Sequence, residues 1–245
     1  MKLNLKSINK KFDNTDVLKN ISLDLQNKNS VAIIGPSGGG KSTLLNILAG
    51  YIEADSGEVT INNHHLKNNE KFLKEYRKKV GIVFQAYNLF PHLTVIRNIT
   101  LILEKVHSYS KKDANEKAVE LLKQFQLEDQ KDKKPGQLSG GQQQRLAIVR
   151  ALSYDPEILF FDEPSAALDP ALTSEVLDVI KELKDRNRDM IIVTHEMGFA
   201  RQVADYILFI DNGRITEEGT PDEIFNNPKT EELKRFLDKI LEWKL

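Results

Sequence analysis

Cysteine is absent from all 245 residues, which excludes a disulfide framework and thiolate metal sites. Neither sign of charge is in excess: 35 basic residues stand against 36 acidic ones, for a formal net charge of -1. No global basic surface therefore argues for nucleic acid as a partner, and none is expected. No apolar run approaches the roughly 20 residues that span a bilayer. The longest, Ile158 to Phe161 and Tyr206 to Ile210, are of strand length. The first residues, Met1 to Lys6, alternate apolar and polar like a strand and lack the apolar core of a signal peptide. Internal repeats and low-complexity tracts are missing too. These absences lead to the expectation of a cytoplasmic chain whose role at a membrane, if it has one, comes through partner chains.

What is present is an ordinary globular balance, 40% apolar and 29% charged. The length suits one large domain, or one with an inserted lobe. Val31 to Ile34, Ile158 to Phe161 and Met190 to Thr194 form short apolar runs, each followed by a polar turn and a helical pattern. That alternation predicts a mostly parallel α/β sheet, with Val80 to Phe84 as a further strand. Ile21 to Leu25 and Gly57 to Ile61 alternate as antiparallel strands do. From Pro91 to about Ala151 the periodicity turns helical, with Ser110 and Asp113 as a cap and Ala114, Ala118, Leu121, Leu122 and Phe125 on one face. Lys131 to Gly136 is a charged linker. Thr220 and Pro221 open a final helical region as cap and first residue.

Three stretches carry chemistry. Gly35-Pro36-Ser37-Gly38-Gly39-Gly40-Lys41-Ser42 fits G-x-x-x-x-G-K-[ST], directly after a strand and before the helical run Thr43 to Ala49. Glycines let backbone N–H groups turn around phosphate oxygens, and the helix N-terminus adds partial positive charge. Lys41 reaches β- and γ-phosphates and the Ser42 hydroxyl ligates Mg²⁺ in such loops. Second, Asp162-Glu163 ends a buried strand, where open α/β sheets bind ligands. Asp162 suits a Mg²⁺ shell and Glu163 suits polarising a water; a solvated strand end is the plain alternative. Third, Ser139-Gly140-Gly141-Gln142 is a Ser-x-x-Gln capping pattern at a helix start.

Set together with Leu138, Gln143, Gln144 and Arg145, that third stretch resembles the signature of ABC-type ATPases, and the resemblance extends over the whole chain. It implies a P-loop NTPase (RecA-like) α/β core over 1–87 and 156–245, with an N-terminal antiparallel β region and an inserted α-helical subdomain over 88–155, all one ABC ATPase domain. It implies that ATP and Mg²⁺ are bound. Thr43 joins the phosphate-loop set, and Phe12 stands where the family stacks an aromatic on adenine, a core aromatic being the other reading. Gln85 matches the Q-loop glutamine that touches Mg²⁺ and the attacking water. His195 matches the switch histidine of the γ-phosphate, and Asp169, also a ready helix cap before Pro170, matches the D-loop. The family more often has serine at positions 39 and 166. Glycine at 39 is expected only to loosen the loop, and alanine at 166 to remove one hydroxyl contact.

The resemblance further implies a head-to-tail dimer of two copies, each ATP held by the phosphate loop of one and by Ser139, Gly140, Gly141 and Gln142 of the other. Phe84 to Val95, Thr194 to Ala200, Glu218 to Phe225 and Arg235 to Leu237 are similar to the branch serving polar amino acids. Permease subunits, and indirectly an extracytoplasmic amino-acid-binding protein, are the implied partners. The place implied is the cytoplasmic face of the membrane. An ATPase of lipoprotein release or cell division, a soluble ABC protein acting on nucleic acid or ribosomes, and a non-hydrolysing regulatory module stay open at this point. His64, His65, His92 and His107 are expected to be surface or packing residues, and Lys67 to Lys79 a solvated helix face and loop.

Overall fold

Alternating apolar residues at the start of the chain make two long strands, and uninterrupted apolar runs further on make short buried ones. The computed structural model describes residues 1–166, 168 and 170–242. In chain order the elements are β1 (Lys2–Phe12), β2 (Thr15–Gln26), β3 (Ser30–Ile34), α1 (Lys41–Leu48), β4 (Ser56–Ile61), β5 (His64–Leu66), α2 (Glu70–Arg77), β6 (Val80–Val83), α3 (Val95–Lys105), α4 (Lys111–Gln124), α5 (Gly140–Leu152), β7 (Ile158–Asp162), α6 (Pro170–Asp185), β8 (Met190–Val193), α7 (Met197–Val203), β9 (Tyr206–Asp211), β10 (Arg214–Gly219), α8 (Pro221–Asn226) and α9 (Glu231–Glu242). They group into two compact units, Met1–Arg77 with the chain from Leu183 onward, and Lys78–Glu182.

The first unit contains two kinds of sheet. β2, β1, β4 and β5 pair antiparallel in that order. Leu3 and Leu5 of β1 and Ile21, Leu23 and Leu25 of β2 are buried at a period of two, and an irregularity between Leu5 and Ile8 lets Ile8, three residues on, be buried as well. β3 pairs parallel with β8 on one side and β9 on the other, and β10 pairs antiparallel with β9. All five residues of β3 are buried, because a parallel strand is covered on both faces. Ala32, Ile34, Ala200, Ile207, Phe209 and Ile224 form the core beneath α7, α8 and α9, where Phe209 meets Phe236 with ring centroids 5.2 Å apart. The expected solvated face after Lys67 is one side of α2; its other side buries Leu73 and Tyr76, and the Tyr76 hydroxyl donates to the Leu48 carbonyl at 2.8 Å.

In the second unit β6 and β7 run parallel. Gly81 lies so close to its neighbours that a Cβ there would stand 2.7 Å from Leu159 Cδ2 and 3.0 Å from the Ala151 carbonyl. Three helices fill the stretch expected to be helical, and their starts are capped from the sequence: Thr94 accepts from Arg97 N–H, Ser110 from Asp113 N–H, and Ser139 from Gln142 N–H. The charged linker before α5 is tied down, since its Lys131 and Lys133 carbonyls accept from Ile96 and Val95 N–H at 3.0 and 2.8 Å. No helix among the described residues is long and apolar enough to cross a membrane.

Glu217 fastens the last helix to the sheet of the first unit. Its carboxylate, 9% exposed, accepts from the Lys229 N–H, the Thr230 N–H and the Thr230 hydroxyl. Burial raises its pKa, but these hydrogen bonds outweigh burial and leave it below the ordinary 4.5. A carboxylate depressed in the fold stabilises it fully above the unfolded value, and that contribution is lost as pH falls through the folded one. Glu217→Gln should cost about 1–2 kcal/mol near neutral pH, and the gap from the parent should narrow on acidification. Urea unfolding of both proteins across pH 3 to 7, as set by the window above, checks this.

Candidate functional site

The register of the parallel strands decides what comes together. Ile33 lies opposite Val193 and Ile34 opposite Phe209. The loop after β3 and the residues after β8 and β9 therefore leave the same edge of the sheet, the carboxyl edge at which open α/β sheets bind ligands. The Thr194 N–H donates to the Ile33 carbonyl at 3.3 Å, and the Thr194 hydroxyl accepts from Glu196 N–H at 3.0 Å. Between them His195 is turned outward, half exposed, with Nε2 3.8 Å from a Glu196 carboxylate oxygen.

The loop from Gly35 to Gly40 is a close-fitting turn. Gly35 has φ +143°, and a Cβ on it would sit 2.0 Å from the Ile210 carbonyl oxygen, so no other residue fits. Gly40, with φ +101°, precedes α1 and leaves no room for a Cβ, whose nearest atoms would be Leu18 Cδ2 at 2.8 Å and the Val17 carbonyl at 2.9 Å. Gly39 donates to the Pro36 carbonyl at 3.2 Å and accepts from Gly213 N–H at 3.2 Å. A Cβ at position 39 would lie 3.1 Å from both the Pro36 and Ile210 carbonyls, so glycine relieves a tight contact there. Ser37 and Gly38 form the exposed tip. The Lys41 ammonium, buried within the loop, donates to the Gly35 and Pro36 carbonyls at 2.9 Å each.

α1 opens with no side-chain cap and no acidic residue in its first turn. The partial positive charge of its N-terminus thus meets no acidic side chain of its own first turn, which suits an anion. Ser42 and Thr43 are half-buried in that same turn. The arrangement is a cradle of backbone donors around a held cation, and its charge and shape fit a polyphosphate. Phe12, at the tip of the β1–β2 hairpin, is 44% exposed, with the Lys10 ammonium 5.4 Å from its ring centroid. It is not a core aromatic.

In the second unit Val83 lies opposite Phe161, which brings Gln85 and the pair Asp162-Glu163 out at one edge. Gln85 is exposed, and both carboxylates are half-buried. Glu163 has φ +46°, in the left-handed region, and its carbonyl accepts from Ala166 N–H at 3.2 Å. A glutamate held there carries backbone strain of the kind found at functional sites. Within this unit the Asp162 and Glu163 carboxylates and the Gln85 amide are hard oxygen donors, the chemistry Mg²⁺ prefers. The Ser139 capping box is complete: Gln142 N–H donates to Ser139 Oγ at 3.3 Å, and Ser139 N–H to Gln142 Oε1 at 3.0 Å. The first intrahelical bond runs from Gln143 N–H to the Ser139 carbonyl, so the N–H groups of Gly140 and Gly141 precede the ladder. Gly141 is buried against Leu172. Asp169 and Ala167 lie outside the described residues. His64 packs against Tyr76 and His107 against Tyr154, ring contacts as expected of packing residues.

Two residues that the sequence did not mark stand beside this second group. Asn98, fully buried, accepts from Phe90 N–H at 2.8 Å and donates to the Phe90 carbonyl at 3.2 Å. Arg150 donates to the Tyr87 and Asn88 carbonyls. In the sequence an arginine in a helix's last turn is an ordinary partner of the helix dipole, and an asparagine in an amphipathic helix is an ordinary surface residue.

The sequence pattern of the family described as "ABC transporter" matches residues 18–166. The chain is similar to the glutamine transport ATP-binding protein GlnQ of Geobacillus stearothermophilus, 47% identical over 96% of this chain and 97% of that one. It is also similar to the glutamate/aspartate import ATP-binding protein GltL of Escherichia coli (strain K12), 44% identical over 98% and 99%. Among solved structures, a dimeric post-hydrolysis state of the ATP-binding cassette MJ0796 bound to ADP and Pi superimposes with a TM-score of 0.78 at 36% identity, over 89% of this chain and 98% of that chain.

Gly35→Ala tests the cradle directly. The added methyl meets the Ile210 carbonyl, and the distortion should lower nucleotide affinity about tenfold or more. Titration with a fluorescent ATP analogue reads this; affinity equal to the parent's would contradict the description of the loop.

Proposed function

The chain belongs to the ABC transporter family, whose sequence pattern spans its residues 18–166, and from that premise we propose that it is the ATP-hydrolysing subunit of an importer for polar amino acids. The observation that carries the substrate class is the end-to-end match, at 44–47% identity, to proteins named for glutamine transport and for glutamate/aspartate import. As an ABC ATPase the chain binds ATP. Two copies close head to tail around two ATP molecules, permease subunits hold the pair at the cytoplasmic face of the membrane, and a binding protein outside delivers the amino acid. The working division is a nucleotide-binding core over 1–87 and 156–245 and a signature-bearing subdomain over 88–155.

Each residue's role follows from its chemistry. The backbone of Gly35 to Gly40, with Lys41, Ser42 and Thr43, takes the phosphates, and Lys41 exchanges the two loop carbonyls for phosphate oxygens. Phe12 offers its exposed ring to adenine. Ser42, Gln85 and Asp162 would hold Mg²⁺, which when bound neutralises charge on the β- and γ-oxygens. Glu163 accepts the proton of the attacking water, and Gln85 and His195 orient that water and the γ-phosphate. Ser139, Gly140, Gly141 and Gln142 present a helix N-terminus to the γ-phosphate on the other copy, and Asp169 is assigned to the nucleotide as the D-loop residue. Phosphoryl transfer needs positioning and charge stabilisation above all. Dividing those donors between two copies makes closure a condition for chemistry. Tyr87 to Pro91, with Phe90 37% exposed, offers an apolar edge to a permease helix.

Glu163→Gln should lower turnover roughly 100-fold or more while ATP binding is kept, and a phosphate-release assay beside nucleotide titration separates the two. Ser139→Ala should reduce turnover and ATP-driven dimerisation but leave the affinity of the isolated chain unchanged; a loss of that affinity would sink the divided site. Phe90→Ala should uncouple amino-acid uptake from ATP use in proteoliposomes, with ATP binding retained.

A further inference from the structure

We propose that Arg150 is a positioning residue for hydrolysis, holding Tyr87 as a strut between the Gln85 loop and the turn at Ser139 to Gly141. The proposal rests on the reading that Gln85 and that turn act in hydrolysis, and every contact behind it lies within the second unit. Arg150, in the last turn of α5, sends Nη1 to the Asn88 carbonyl at 2.6 Å and Nη2 to the Tyr87 carbonyl at 3.0 Å. Its guanidinium carbon is 6.0 Å from the centroid of the Phe90 ring. One planar fork thus grips two successive carbonyls and lies by the aromatic that follows, a task for which a lysine's single ammonium has the wrong geometry.

The gripped residues need holding. Tyr87 and Asn88 are both left-handed, at φ +56° and +51°. Asparagine tolerates that conformation, whereas tyrosine pays for it with strain. Charge-assisted bonds to both carbonyls offset that strain, and the buried Asn98 amide clasps the next turn by taking both the N–H and the carbonyl of Phe90. The loop that begins at Gln85 is therefore fixed to α5 and α3 rather than left to solvent.

The Tyr87 side chain supplies the far end of the strut. Its hydroxyl lies so near Gly140 that a Cβ built there would be 3.2 Å from the phenol oxygen. Gly140 opens α5 and Arg150 stands near its end, a separation of about 15 Å along the helix. The Arg150 side chain, its bond to the Tyr87 carbonyl and the Tyr87 ring together cover that length, ending with the hydroxyl beside Gly140. Burial raises its phenol pKa, in keeping with a ring laid against the protein. A shift of the Gln85 loop, two residues upstream, is then delivered to Gly140 as a push or a release. An absent Cβ at position 140 gives the hydroxyl its place.

The test uses the full chain assembled with its permease, with kcat and KM for ATP measured there and nucleotide affinity and Tm measured on the isolated chain. Arg150→Lys should lower kcat about tenfold, with KM, nucleotide affinity and Tm close to the parent's. Gly140→Ala should lower kcat, its methyl meeting both Leu168 Cδ2 at 3.1 Å and the phenol oxygen at 3.2 Å, and Tyr87→Phe in the same chain should restore the part due to the phenol, so that the two effects do not multiply. A parent-like kcat in Arg150→Lys overturns the proposal, as does a kcat that falls only in step with Tm, or independent effects of the Gly140 and Tyr87 changes. Glu163→Gln run alongside separates the two levels. If it keeps full turnover, the hydrolytic reading itself fails; if it loses turnover while Arg150→Lys does not, only the strut fails.

Discussion

A buried ammonium held by two backbone carbonyls is the constraint on which this architecture turns. Taking the charge of Lys41 out of water is costly unless it is compensated. The Gly35 and Pro36 carbonyls compensate it only because the chain doubles back between β3 and α1. That reversal needs a residue without Cβ facing the Ile210 carbonyl. It also needs β9 alongside β3 in the register that puts Ile210 there. Strand pairing, glycine placement and the lysine's position are one requirement seen at three scales.

The same economy of register serves both units. In each, parallel strands run side by side, and the residues at or just past their ends are those assigned chemical roles above: Gly35 and His195 in the first unit, Gln85 and the Asp162-Glu163 pair in the second. A parallel pair delivers both its carboxyl ends to one edge, which an antiparallel pair cannot do. The antiparallel β1–β2 hairpin has a different use. It carries an aromatic out of the core at its tip and packs Val17 and Leu18 against Gly40.

Much of this is legible in the order of residues. The phosphate loop announces itself through glycine spacing and a lysine, and β3, β7 and β8 through unbroken apolar runs that only a doubly covered strand tolerates. Caps at Ser110, Ser139 and Thr220 were readable because a hydroxyl three residues before a partner N–H is a local matter. What stayed hidden was long-range. Nothing in the order of residues tells Arg150 from any basic side chain at a helix end, and its partners lie more than 60 positions away. Asn98 was hidden by the converse fact, a polar side chain wholly inside, accountable only once Phe90 is seen beside it. The left-handed backbone of Glu163 had no sequence signal either, since glutamate gives no warning of that conformation as glycine or asparagine does.

In the proposed function Ser139 gives one atom both a structural duty and a chemical one. The cap draws on a lone pair of the hydroxyl oxygen, since Gln142 N–H is the donor there. A hydroxyl also has a proton, which rotates about the Cβ–O bond to whichever acceptor is at hand. Forming the helix therefore uses one side of this oxygen and leaves its donor side available, so an arriving anion need not uncap the helix to be bound. Alanine would remove both functions at once; threonine, which keeps lone pair and proton alike, is the exchange that separates the oxygen's two uses from the space around it.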